Sequence, residues 1–139
     1  MKKFEFSLEK VLRIREFEEE QAKIELGKAI SEVNRINSEL EFIASERVKN
    51  NLARSSCVDI NFLMSIEKYI EGLDLKKEEL LNELAQAEML ADERRKILAE
   101  CMQKRKVLEK LKENQKIAYN KLVEREEEKV LDEIKPKKN

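Results

Sequence analysis

Seven apolar positions, Ala22, Leu26, Ala29, Val33, Ile36, Leu40 and Ile43, follow one another in alternating steps of four and three. A mean step of 3.5 residues keeps a single stripe of an α-helix turned toward a partner helix, so the segment carries the seam of a coiled coil. Such a chain does its work through helix geometry and exposed faces. Two glycines (Gly27, Gly72) and one proline (Pro136) in 139 residues leave too few turn formers for a sheet fold. The charged fraction of 42% and the aromatic fraction of 5% exclude a thick globular core, while the patterning of the apolar residues excludes disorder. The expected fold is all-α.

The chain reads as one coiled-coil domain over residues 1–139, with two long helices forming an antiparallel hairpin. Ser7 stands where a cap for the first helix is expected, and that helix runs from about residue 8 to about 54. A turn at about 55–59 breaks the pattern, and Asp59 caps a second helix from about 60 to about 134, followed by a disordered tail at 135–139. The second seam is traced through Leu63, Ile66, Ile70, Leu73, Lys77, Leu80, Leu84, Ala87, Ala91, Arg94, Leu98, Cys101, Arg105 and Leu108, with Gly72 marking a possible kink. The second helix outlasts the first, and everything beyond about Lys110 is expected to project without a partner from this chain, over about 40 Å.

Extending the first seam backwards places Arg15 and Glu19 on it. Two readings fit: a buried charge pair that sets register, or local splaying that lets both charges reach water, the latter favoured by the cost of desolvating isolated charges. From Arg94 to Lys112 eight cations face two glutamates, a one-signed excess suited to an acidic partner. The acidic run at Glu124–Glu128 and the lack of interleaved aromatic rings argue against nucleic acid. No stretch is apolar enough to enter a bilayer. With no histidine, no glycine-rich phosphate loop and two isolated cysteines, Cys57 and Cys101, neither catalysis nor a metal or cofactor site is expected.

The opening Phe4-Glu-Phe6-Ser-Leu8-Glu-Lys-Val11-Leu12-Arg-Ile-Arg15, with Glu19 and Ala22, resembles the N-terminal signature of the flagellar export protein FliJ family. The stretch Glu93-Arg94-Arg95-Lys96-Ile97-Leu98, then Gln103 to Glu113 with Tyr119 beyond, is similar to that family's second signature. The resemblance implies a cytoplasmic, non-enzymatic coiled coil, peripherally associated with the inner membrane at the flagellar base. It also implies insertion of the paired termini into the hexameric export ATPase as a central stalk, contact with the cytoplasmic domain of the export-gate membrane protein, and escort of export chaperones. Carried onto this chain, the ring contacts fall on Arg94, Arg95, Lys104, Arg105 and Lys106, with Arg15 on the opposing helix. Gate contacts are assigned to the exposed aromatics Phe42, Phe62 and Tyr69 toward the hairpin tip. A self-associating structural coiled coil and a nucleic-acid-binding arm are the competing readings.

Overall fold

The computed structural model describes residues 2–134, so the expected tail at 135–139 lies outside the described residues. Two α-helices, α1 (Glu9–Ser56) and α2 (Ile60–Ile134), are joined by Cys57, Val58 and Asp59 and pack against each other as a helical hairpin, and no strand occurs among the described residues. Local chemistry accounts for the start of α1 and for both sides of the connection. The Leu8 carbonyl accepts the first helical bond from Leu12 N–H at 2.9 Å, which puts Leu8 rather than the expected Ser7 at the cap position. At the far end of α1, the Ser55 and Ser56 hydroxyls donate to the Leu52 carbonyl at 2.8 and 3.2 Å, supplying acceptors of the last turn with side-chain donors. Asp59 caps α2 as the sequence predicts, its carboxylate accepting from Asn61 N–H at 3.0 Å while its carbonyl accepts from Leu63 N–H at the same distance. Helix α2 runs through Gly72 without interruption and with a helical, negative φ.

The hairpin divides into two units. In the unit Lys23–Ile97, Ile36, Ile43, Leu73 and Leu80 form one buried cluster, with Leu40, Leu84 and Ala87 packed against it. Ala29, Ile66, Ile70 and Ala91 are buried as well, so the seam read from the spacing is the one that is covered. Cross-helix ion pairs step in opposite directions along the two helices: Arg54 to Glu67 at 2.9 Å, Arg47 to Asp74 at 2.8 Å and Arg35 to Glu83 at 3.8 Å. The helices are therefore antiparallel. Lys77, traced as a seam position, stays exposed, because an ammonium kept in water avoids its desolvation cost.

The other unit takes the chain up to Ala22 together with the chain from Leu98 onward. Its buried apolar side chains are Phe6, Leu12 and Ala22. Residues 2–8 do not leave the hairpin; they continue along α2. The Phe4 ring lies 5.6 Å from that of Tyr119, the Tyr119 hydroxyl donates to the Lys2 carbonyl, and Phe6 is only 7% exposed. This segment corrects the length of the bare projection, since α2 is accompanied as far as Tyr119 rather than Lys110. The 15 residues from Asn120 to Ile134, at about 1.5 Å each, extend α2 by ~22 Å beyond Tyr119, the last position at which a contact with the α1 side occurs among the described residues.

Candidate partner-binding surfaces

The seam charges resolve differently from the splaying favoured on desolvation grounds. Glu19 is 5% exposed and is the only buried charged side chain among the described residues. Arg105, 86 residues away, donates its Nε–H to the Glu19 carboxylate and a second N–H to Glu109 at 2.7 Å. A cation delivered by the opposing helix removes the penalty that made burial look prohibitive. These two hydrogen bonds, Glu19 first and Glu109 second, hold the Arg105 guanidinium above its ordinary basicity. Arg15 does not join this pair; it binds Glu18 at 3.1 Å on its own helix.

The basic residues of α2 therefore serve different ends. Arg105 is engaged inside the hairpin, whereas Lys104 and Lys106 are exposed and leave the helix on either side of it, about 200° apart around the axis. Further along, Lys112 reaches back to Glu9 at 2.8 Å and, by that contact first, lowers the Glu9 pKa below the ordinary glutamate range. Arg94 and Arg95 belong to the unit Lys23–Ile97, where Arg94 is half-buried on the seam and Arg95 binds Asp92 at 2.6 Å. Lys104 and Lys106 thus offer exposed cations in one unit, and Arg94 and Arg95 belong to the other.

Phe42, Phe62 and Tyr69 are exposed. Tyr69 hydrogen-bonds to Glu46 on α1 at 3.2 Å, Glu46 lies one turn from Phe42, and Phe62 lies two turns before Tyr69 on the same face of α2. Around the connection, Leu52, Val58, Ile60 and Met64 add apolar surface, Val58 being 97% exposed. Ile60 opens the second seam, whereas Leu52 and Met64 were not singled out from the sequence; their signal is apolar residues that fall off both seams. A second apolar surface lies on the far end of α2, where Val123, Val130 and Leu131 share one helix face with Glu126 and Glu127.

The family model for the flagellar FliJ protein matches residues 4–136, nearly the whole chain and both signature stretches. The chain belongs to the flagellar FliJ family. That membership makes it a component of the flagellar protein export apparatus, in a family whose role there is non-catalytic. No curated protein matches this FliJ-family chain, and no solved structure does. No described helix is long and apolar enough to cross a membrane.

Proposed function

We propose that this FliJ-family chain is a non-enzymatic, stalk-like element that seats its terminal unit in the hexameric export ATPase. On this reading it links the ring to the cytoplasmic domain of the export gate and escorts export chaperones at the inner face of the membrane. The observation that carries the reading is the far end of α2: Leu122, Val130, Leu131 and Ile134 are exposed, and among the described residues no hydrogen bond, ion pair or ring contact joins α2 to the α1 side after Tyr119. An isolated helical stretch of this length is marginal in water, and a surrounding protein collar supplies the missing burial. Exposed Lys104 and Lys106 on the terminal unit, with Arg94 and Arg95 on the other, offer cations to carboxylates on such a collar. Arg105 contributes by holding the helices together. Phe42, Phe62 and Tyr69 form the surface assigned to the gate.

Binding of the purified chain to the assembled export ATPase, at low and high salt, tests the proposal. The triple variant Arg95→Glu/Lys104→Glu/Lys106→Glu, at three exposed cations, should keep wild-type helicity and lose most of its affinity, with the wild-type interaction weakening as salt rises. Undiminished ring binding by the folded triple variant sinks the assignment of these cations. The same bare stretch also suits self-association, which predicts a mass that grows with concentration in sedimentation equilibrium and falls back to monomer on Leu131→Glu.

A further inference from the structure

Phe4, Phe6 and Glu9 share one cavity with Lys112 and Lys116, so residues 2–8 take one side of the seam in the terminal unit. The other side is apolar and open. On α2, Val107, Leu111, Ala118 and Leu122 recur at steps of four, seven and four, all exposed. At about 100° per residue this stripe is turned by about 100° from the seam line of Cys101, Arg105, Leu108 and Lys112, away from Lys116. On α1, Val11 and Ile14 fall across the seam from Glu9, and the pairs Glu9 to Lys112 and Glu19 to Arg105 set Val11 level with Leu111 and Ile14 level with Val107. Ile14 is 54% exposed and Val107 62%. Positions beside a two-helix seam normally carry charge, so an apolar ledge there marks a surface that another helix covers.

Charge identifies the occupant. Exposed Lys104, Lys106 and Lys110 precede Leu111; Glu124, Glu126, Glu127 and Glu128 follow Leu122, outnumbering Arg125 and Lys129. A second α2 running the opposite way, with Leu111 of each copy against Leu122 of the other, lays residues 104–110 of each along residues 123–129 of the other. Lysines then meet glutamates at both ends of one apolar centre, whereas a parallel pair sets lysine against lysine. We propose that two copies of this chain pair antiparallel through Val107, Leu111, Ala118 and Leu122, with Val11 and Ile14 of each copy flanking the Leu122 end of the other. The pairing gives each α2 a neighbouring helix beyond Tyr119. It does not rest on the ring reading, and the face is turned by roughly 110–150° from Val123, Val130 and Leu131.

Sedimentation equilibrium of the full chain should give a mass that rises with protein concentration to twice the monomer and no further, because a two-fold contact closes on itself. The pairing should weaken as salt rises, and Glu126→Gln/Glu127→Gln/Glu128→Gln should weaken it further and flatten that salt dependence. Leu122→Glu alters an exposed position and should raise the dissociation constant at least about ten-fold at unchanged circular dichroism, while Leu131→Glu, on another face, should leave it as in wild type. Direction is read by disulfide trapping in a Cys57→Ser/Cys101→Ala background. Leu111→Cys copies mixed with Leu122→Cys copies should cross-link to each other, and neither should cross-link to itself. A mass that stays monomeric or grows past the dimer, dissociation by Leu131→Glu instead of Leu122→Glu, or self-cross-linking of either single cysteine would each overturn the antiparallel pairing. An unaltered salt dependence in the triple glutamine variant also counts against it.

Discussion

Leu80→Ala tests the seam where it is most completely covered. Leu80 is 1% exposed and sits among Ile36, Ile43 and Leu73. Truncation to alanine removes three buried carbons, worth roughly 2.4 kcal/mol at about 0.8 kcal/mol each. The space left behind adds a cavity cost, reduced because a two-helix seam is open to solvent at its margins and its neighbours settle inward; the total comes to about 3 kcal/mol. Leu75→Ala is the matched control, since Leu75 lies on the same helix but is 69% exposed, and a surface change there should stay within about 0.5 kcal/mol. Urea unfolding followed by far-ultraviolet circular dichroism measures both differences, provided the dependence on denaturant is the same in each variant. Equal destabilisation by the two truncations, or a Leu80→Ala cost below about 1 kcal/mol, would show that the helices are not held by this seam and would refute the burial argument.

Gly72 offers an improvement: a Cβ there meets nothing within 4 Å and φ is negative, so Gly72→Ala should stabilise by about 0.5–1 kcal/mol, read as a raised urea midpoint. Phe6→Ala should cost about 3 kcal/mol in local opening of the terminal unit, seen as faster amide exchange around Lys112 to Tyr119 with little change near Leu80. Glu9 has a folded pKa below its unfolded one because of Lys112, as does Glu32 because of Arg35. Their contribution is present above the unfolded glutamate value of about 4.3 and is lost as pH falls through the lower folded values. Acid titration of helicity should therefore show a loss below about pH 4 that Glu9→Gln and Glu32→Gln each diminish, and an unaltered acid limb in both variants would contradict the assignment.

Periodicity belongs to a single helix and can be read residue by residue, which is why Ala29, Ile36 and Ile43 on one side and Ile66, Ile70, Leu73 and Leu80 on the other are legible in the sequence alone. The same holds for Asp59, whose capping role depends only on its own side chain and the next two residues. Family membership was legible too, in the two signature stretches. What tertiary structure decided is everything that depends on which residues face one another. Glu19 and Arg105 both fall on projected seams and carry opposite charge, yet the balance between desolvation and pairing turns on their meeting across 86 residues of chain. Phe4 and Phe6 precede any helical pattern, so only packing against α2 shows that they lengthen the covered part of the hairpin to Tyr119. Charge counted along the chain gives the excess from Arg94 to Lys112 but not its direction: the helical turn sends Lys104 and Lys106 to opposite sides, and internal pairing claims Arg105.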